Sequence, residues 1–380
     1  MALRFYLVAT AFHAILLATG LAIARRWARR LGSRPEAPRE TLRFVRDLWL
    51  FLTLAVVLAA AAAALSANGF TAIRLLSQTL FGELPVLLGW ASTLLWRRRS
   101  PSSVLPFSLA VLALLTIYAK SYHHEPRELW VRRHGLDRSG GAVTERRLRI
   151  VHLSDLQADQ IGTHEKRALR TAMAQQPDLI VMTGDYIQPR LRATRSLATS
   201  DLNQLLRELT FDAPVGAFAT RGDVDVDWPM AFAGTPVITL SGESVRLTLS
   251  DRQSSLTLIG LTPGMSHGRN RKELQDLVRR APPADLRIVA GHAPDFVAQL
   301  VEQDQIDLAL AGHTHGGQVV LPLLGALYTK STLPRLYASG FRDFRGIPLN
   351  VSAGIGMERG TAPQIRFLCP PEISLIDLRF

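Results

Sequence analysis

Between residues 148 and 318, five short apolar runs each give way to Asp or His, four of them through a Gly. Leu148-Arg149-Ile150-Val151-His152-Leu153 leads into Ser154-Asp155, and Leu179-Ile180-Val181-Met182 into Gly184-Asp185. Val215-Gly216-Ala217-Phe218-Ala219 leads into Gly222-Asp223, and Leu286-Arg287-Ile288-Val289 into Gly291-His292. Ile306-Asp307-Leu308-Ala309-Leu310 leads into Gly312-His313-Thr314-His315-Gly316-Gly317-Gln318. Apolar runs this short, bounded by turn residues, read as buried strands. A further run, Leu256-Thr257-Leu258-Ile259, ends at Gly260, and two tail strands are expected at 349–352 and 373–376. Helical segments expected at 168–174, 202–209 and 272–280 separate several of the strands and make this an α/β region. In such a fold ligands collect beyond the carboxyl ends of the strands.

One Asp after a strand is commonly a helix cap, and one pair of loop histidines is open to several readings. Five such ends in one domain are another matter. Together they offer carboxylate oxygens and imidazoles without a cysteine, a donor set suited to Mn, Fe or Zn. A carboxylate shared between two ions would build a two-metal site of the kind that hydrolyses phosphate esters. The single cysteine, Cys369, precedes Pro370-Pro371 with no second Cys, so it reads as a small buried hydrophobe.

The first third of the chain has a different texture. The whole sequence carries 44 Lys+Arg against 32 Asp+Glu, a net charge of +12. Residues 1–150 hold 21 basic against 8 acidic residues, and the remainder is balanced at 23 against 24. The surplus therefore flanks apolar segments, which is how membrane topology is written; no nucleic-acid partner is expected. Apolar runs at 5–24, 48–65, 75–96 and 104–118 are candidate spans, about four in all. Arg25-Arg26-Trp27-Ala28-Arg29-Arg30 directly after the first run argues for an uncleaved span rather than a signal peptide. Basic loops at 25–46 and 97–101 place those loops in the cytoplasm and everything after Lys120 outside it. Arg74, Lys120, Arg127, Arg132 and Arg133 count against that orientation. The third run is interrupted at Gly82-Glu83-Leu84-Pro85, read as a local break or an interfacial segment. Glu83 is the only acidic residue in the runs, and His13 and Gln78 stand apart from it in the sequence, so a transporter has little support.

The order Asp155-x-Gln157, Gly184-Asp185, Gly222-Asp223-x-Asp225, Gly291-His292 and Gly312-His313-x-His315 resembles the calcineurin-like metallophosphoesterases. The His-Thr-His-Gly-Gly-Gln run is similar to the branch with membrane-attached or exported phosphodiesterases. So is the tail, Ser352-Ala353-Gly354-Ile355-Gly356 with Pro371-Glu372-Ile373. The resemblance implies an α/β sandwich of two mixed β-sheets flanked by helices, here preceded by an all-α membrane region. The expected organisation is a transmembrane region at 1–124, a linker with a possible edge strand at 125–145, and the metallophosphoesterase domain at 146–380.

Carried over position by position, the resemblance puts Asp155, Gln157, Asp185 and His315 around one divalent ion. Asp185 bridges to a second ion held by Asp223, His292 and His313, and a bridging hydroxide attacks phosphorus in line. Three positions depart from the family pattern. Gln157 stands where the family has His, which weakens the first site. Asp223 stands where it has Asn, which adds charge to the second. Val224 stands where it has the His that assists the leaving group. Asp225 is the candidate catalytic substitute, with Asp159, His164 and His267 as others. The resulting expectation is a multi-pass protein of the inner membrane. It would be a metal-dependent phosphoesterase acting outside the cytoplasm on a phosphodiester or phosphomonoester, including one linked to a lipid of the bilayer. A metal-binding sensor that has lost turnover is the alternative, motivated by Val224 and Gln157.

Overall fold

The structure, a computed structural model, describes residues 2–30, 37–66, 68–97, 101–139, 146–360 and 362–380. The chain forms two compact units, Met1–His123 with Arg359–Gln364, and His124–Glu358 with Ile365–Phe380.

The first unit is helical: α1 (Ala2–Arg30), α2 (Ala37–Ser66), α3 (Gly69–Gln78), α4 (Leu84–Arg97) and α5 (Pro101–Ala119). Helix α3 starts at Gly69, well before the run expected at 75–96, because the Asn68 side chain accepts from Phe70 N at 3.0 Å and caps it. Ala55, Ala59 and Ala62 form one small-residue face of α2, against which Phe12 and Leu16 of α1 are buried. On the outside, Leu7, Leu17, Val56, Val57, Leu109 and Leu112 are exposed. Among the described residues, three helices are long and apolar enough to cross a membrane, at Tyr6–Trp27, Arg43–Ser66 and Val104–Arg127.

Three sequence expectations are corrected in this unit. The third apolar run is not one plain span: α3 passes through a π-helical turn, Thr79–Glu83, into α4. The interruption is not a break either, since Gln78 and Leu84 on either side keep right-handed helical backbone. Pro85 has no N–H for the carbonyl four residues back, and the wider turn just before it absorbs that mismatch. The loop expected at 25–46 is much shorter, because α1 continues to Arg30 and α2 already starts at Ala37. Residues 98–100 of the second basic loop lie outside the described residues. Finally, His13 is not isolated: its Nδ1 lies 2.6 Å from Glu83 Oε1 and its Nε2 3.0 Å from Gln78 Oε1.

The second unit is a sandwich. Its first sheet holds β1 (Trp130–Asp137), β2 (Arg147–Leu153), β3 (Leu179–Met182), β4 (Gly216–Thr220) and β5 (Ile238–Leu240). The second holds β6 (Glu243–Thr248), β7 (Ser255–Gly260), β8 (Leu286–Ala290) and β9 (Leu308–Ala311). After a small hairpin, β10 (Val320–Leu321) and β11 (Gly325–Ala326), the chain adds β12 (Gly340–Phe344) and β13 (Ile347–Val351) to the second sheet. It then returns with β14 (Glu372–Arg379), giving orders β1-β14-β2-β3-β4-β5 and β12-β13-β9-β8-β7-β6. Both sheets are mixed: β2, β3, β4 and β5 run parallel, as do β7, β8, β9 and β13, while β2–β14, β6–β7 and β12–β13 are antiparallel.

Side chains alternate across each strand, and this alternation builds three core layers. From β2, β3, β8 and β9, Ile150, Val181, Ile288 and Leu310 meet between the sheets. Their neighbours Val151 and Ile180 pack under α6 (Thr163–Ala174) and α7 (Arg195–Glu208), against Leu169, Leu202 and Leu206. On the far side, Val289 and Ala309 pack with Leu274 and Leu277 of α8 (Arg271–Arg280). With both faces covered, these strands are buried along their length, which is why they read as continuous apolar runs. The segment read as a linker contributes more than expected. Strand β1 has eight residues and pairs with β14 in parallel at the sheet edge, from Trp130↔Glu372 to Asp137↔Arg379. Residues 140–145, including part of the turn expected at 137–141, lie outside the described residues.

Candidate metal centre

The carboxyl ends of β2, β3 and β4 in one sheet and of β8 and β9 in the other open into neighbouring loops. The β2 and β3 loops are stitched together by Asp155 N→Gly184 O (3.0 Å) and Gln157 N→Asp185 O (2.8 Å). Gly312 N donates to His292 O at 2.8 Å, joining the loops of the second sheet. The two sheets are joined where the Nδ1 of His292 meets Thr183 O at 2.8 Å and His313 N donates to Asp155 Oδ2 at 2.9 Å.

Two glycines make this convergence possible. A Cβ on Gly222 would stand 2.2 Å from Asp185 Oδ1, and one on Gly312 would stand 1.8 Å from Ser154 Oγ and 2.3 Å from Asp155 Oδ2. The candidate ligands themselves sit in left-handed backbone: Asp155 (φ 50°), Gln157 (36°), Asp185 (58°), His313 (68°) and His315 (50°). Non-glycine residues avoid that region, so the chain holds these five side chains in conformations that its own local energetics disfavour. Strain of this kind collects at functional sites.

The donors form two overlapping groups. Asp223, His292 and His313 offer ligand atoms mutually within 4.8 Å, and so do Asp155, Asp185 and His292. His313 Nδ1 lies 3.1 Å from His292 Nε2 and 3.3 Å from Asp223 Oδ2. His292 Nε2 lies 3.3 Å from Asp185 Oδ2. Thr183 O takes the Nδ1–H of His292, leaving Nε2 as the basic nitrogen turned to the carboxylates, the usual support of a ligating imidazole. His315 Nε2 lies 3.3 Å from Asp155 Oδ1. The expected first set is thus less tight than the second, because His315 approaches Asp155 whereas His292 reaches the Asp155–Asp185 group. Gln157 is next to them, its Nε2 donating to Asp185 Oδ2 at 3.0 Å.

The electrostatics suit a cation. Both ring nitrogens of His315 and Asp155 Oδ1 are buried without a hydrogen-bond partner. Buried polar atoms are rarely left this way, and a bound cation would satisfy them. Burial pushes the Asp155 carboxyl up to about 7, with the Asp185 charge adding to it and that of His292 opposing. Burial would raise Asp185 too, but His292 and the Val224 amide, 3.0 Å from Oδ1, hold it below the usual carboxylate range. Asp223 is brought down to about 2: burial opposes, while the His267 hydrogen bond and the nearby imidazoles prevail. Burial pushes His313 down to about 3 and His315 well below the ordinary imidazole value. Burial alone would lower His292, but Asp185 holds it up. A dication bound here would override these directions, keeping the carboxylates ionised and the imidazoles neutral.

The residues considered in place of the missing His have separate surroundings. Asp225, the one expected to be catalytic, is buried. Its carboxylate accepts from Asp185 N (2.9 Å), Tyr186 N (2.8 Å) and Gly222 N (2.7 Å), so it pins the loops that carry the ligands instead of facing a reactant. Asp159 caps Arg190 N at 2.7 Å, and the Nε2 of His164 meets Ile355 O at 3.1 Å. His267 is different. Its Nε2 lies 2.9 and 3.0 Å from the two oxygens of Asp223, and its ring meets His313 edge-on at 4.8 Å. Two contributors had no sequence signal. Thr183 acts through its carbonyl, and Lys330 lies in a loop without periodicity, yet its charge is felt at Asp185 and Asp223.

This arrangement defines a class, and comparison with known proteins gives the same one. Residues 148–317 match the family model described as Calcineurin-like phosphoesterase. The chain contains a domain of that family, a metal-dependent hydrolase of phosphoric esters. It is similar to the uncharacterized metallophosphoesterase YkuE of Bacillus subtilis, with 29% identity over 237 residues, 61% of this chain and 79% of that protein. It is similar to phosphodiesterase YaeI of Escherichia coli, with 29% identity over 218 residues, 56% and 74% of the two chains. The uncharacterized metallophosphoesterase YkoQ of Bacillus subtilis is 25% identical over 276 residues, 70% and 96% of the two chains.

Proposed function

We propose that this chain is a membrane-anchored phosphoesterase that hydrolyses a phosphodiester or phosphomonoester with two divalent ions, Mn, Fe or Zn. The observation that carries the reading is the meeting of two buried carboxylates, one exposed carboxylate and three buried imidazoles beyond five strand ends, several of their donor atoms lacking a hydrogen-bond partner. Asp155, Gln157, Asp185 and His315 would hold one ion, and Asp185, Asp223, His292 and His313 the other. Bound divalent ions supply an acidified water and a clamp on the phosphoryl oxygens. The protein's part is to hold the ligands rigid, through Thr183 on His292, Ser154 and His313 N on Asp155, and Val224 N on Asp185. His267, at the lip of the site beside Asp223, takes the hydrogen-bonding place left by Val224, giving an N–H to the phosphoryl or leaving-group oxygen. An amide oxygen at Gln157 is a poorer ligand than imidazole, so the first ion is the more easily lost.

The apolar helices support the anchoring, and the Arg-rich ends at 25–30 and 97–99 support an orientation with the phosphoesterase domain outside the cytoplasm. An anchored site works beside lipid headgroups, which makes a lipid-linked phosphate the natural substrate. The test uses the full chain in detergent, loaded with Mn²⁺, and assayed on bis(p-nitrophenyl) phosphate and p-nitrophenyl phosphate. Hydrolysis of at least one ester, abolished by a chelator, is expected. Bound metal with no hydrolysis of either would overturn the reading.

A further inference from the structure

Beside the metal centre lies a polar cluster that the ligand set does not use. Gln188 stands three residues beyond Asp185, and Gln318 three residues beyond His315. Glu358 joins the two loops: its Oε1 accepts from Gln188 Nε2 at 3.1 Å, and its N–H donates to Gln318 Oε1 at 2.6 Å. The ammonium of Lys330 is ion-paired with the other oxygen, Oε2. The segment bearing Lys330 is laid tightly on the His315 turn. A Cβ on Gly317 would meet Ala326 Cβ at 2.7 Å and the carbonyl oxygen of Tyr328 at 3.0 Å. Lys330 remains cationic: burial disfavours the charge, but Glu358 restores it and raises its pKa. Its side chain is still 28% exposed.

Glu358 ties the two ligand loops together, and Lys330 is its counter-charge. The ammonium is also felt at Asp185, Asp223 and His315, where a further cation opposes the binding of divalent ions. An anion placed between the ammonium and the ions turns that opposition into attraction.

We propose that Lys330, held in place by Glu358, is a substrate-binding residue whose ammonium contacts a non-bridging oxygen of the substrate's phosphoryl group. The assignment rests on the phosphoesterase reading. It makes the site prefer dianionic phosphomonoesters more than the metal ligands alone would. Charge-assisted hydrogen bonds of this kind are worth about ten- to a hundredfold in affinity.

The test compares Lys330→Met, Lys330→Arg and Glu358→Gln with the wild-type full chain, Mn²⁺-loaded in detergent. Lys330→Met is expected to raise KM by about ten- to a hundredfold with kcat within about threefold, more for p-nitrophenyl phosphate than for bis(p-nitrophenyl) phosphate. Lys330→Arg recovers most of the loss, and Glu358→Gln raises KM by a smaller factor. Inhibition by inorganic phosphate weakens in parallel. Unchanged KM and phosphate inhibition would overturn the proposal. So would a loss confined to kcat, metal content and thermal stability, which marks a loop clamp. If Lys330→Met does not fold, Lys330→Gln takes its place, and wild-type KM in it overturns the proposal equally. If the wild-type chain hydrolyses neither ester, the phosphoesterase reading fails instead. Direct binding of inorganic phosphate to the metal-loaded chain then decides on Lys330, with weaker binding by Lys330→Gln and Glu358→Gln expected and equal binding overturning it.

Discussion

At the scale of single residues, the centre is a set of side chains kept in unfavourable states by their neighbours. Asp155 and Asp185 are both buried, yet burial raises one while His292 depresses the other. In the proposed function His267, with its Nε2 2.9 and 3.0 Å from the two oxygens of Asp223, serves the reactant rather than the fold. His267→Ala should therefore lower kcat by about 10²-fold, within the usual range for assistance by a positioned imidazole, with metal content and folding unchanged. A measurement of kcat alongside bound metal checks this. His152 makes the opposite case. It is wholly buried, and burial pushes it down to about 3. Asn350 Nδ2 donates to its Nδ1 at 2.7 Å, and its Nε2–H meets Thr183 Oγ1 at 2.9 Å, so a second proton has no acceptor. The unfolded chain takes up that proton near pH 6.5 and the folded chain does not, so stability is full above about 6.5 and falls as pH drops from there towards 3, by at most about 1.4 kcal/mol per unit. Denaturant unfolding of wild type and His152→Gln at pH 7.5 and 5 should show a shallower loss in the variant.

At the scale of elements, the site is legible in the sequence because each ligand follows directly on a buried strand. The run 148–153 announces Asp155, and the run 306–310 announces His313 and His315, with no need to know the tertiary pairing. Lys330, Glu358 and Gln188 carry no such signal, since Lys330 and Glu358 are 28 residues apart and Gln188 and Glu358 are 170 apart. The sequence offers His267 only as one of several substitutes, and its meeting with Asp223 across 44 residues is the part that carries no local signal. Strands β6 and β12 escaped the reading because they are half-exposed edge strands with charged residues, Glu243-Ser244-Val245-Arg246 and Phe341-Arg342-Asp343. Strand β5 is only three residues long. What the strand ends need is close approach, and Gly312 provides it between β9 and the β2 loop. Gly312→Ala should leave both sheets folded, with metal uptake lost, because the new methyl occupies the space of Ser154 Oγ and Asp155 Oδ2. Circular dichroism together with metal analysis checks this; full metal occupancy in the variant would show that the loops tolerate separation.

At the scale of the whole molecule, the chain divides its labour between an apolar helical unit and a polar sandwich. The charge surplus of the first 150 residues lies mostly in the helices and their flanks, so net charge alone points to a nucleic acid where its distribution points to a membrane. Composition located the apolar runs well, but not the π turn at Thr79–Glu83, which depends on how Pro85 is accommodated. Nor did it bring His13, Gln78 and Glu83 together, since helix pairing is not written in local periodicity. Fusion of a periplasm-active reporter after Lys120 should give signal outside the cytoplasm if the Arg clusters set the orientation; a cytoplasm-only signal would reverse it. The central claim, that Asp155, Asp185, Asp223, His292, His313 and His315 hold divalent ions for phosphoester hydrolysis, is tested most directly by one titration. Mn²⁺ is added stepwise to chelator-stripped full chain, and bound metal and hydrolysis of bis(p-nitrophenyl) phosphate and p-nitrophenyl phosphate are followed together in wild type and His313→Ala. The account predicts that hydrolysis of at least one ester rises with occupancy in the wild type and that the variant loses both bound metal and activity. Hydrolysis by the stripped protein, or undiminished metal binding and turnover in His313→Ala, would contradict it.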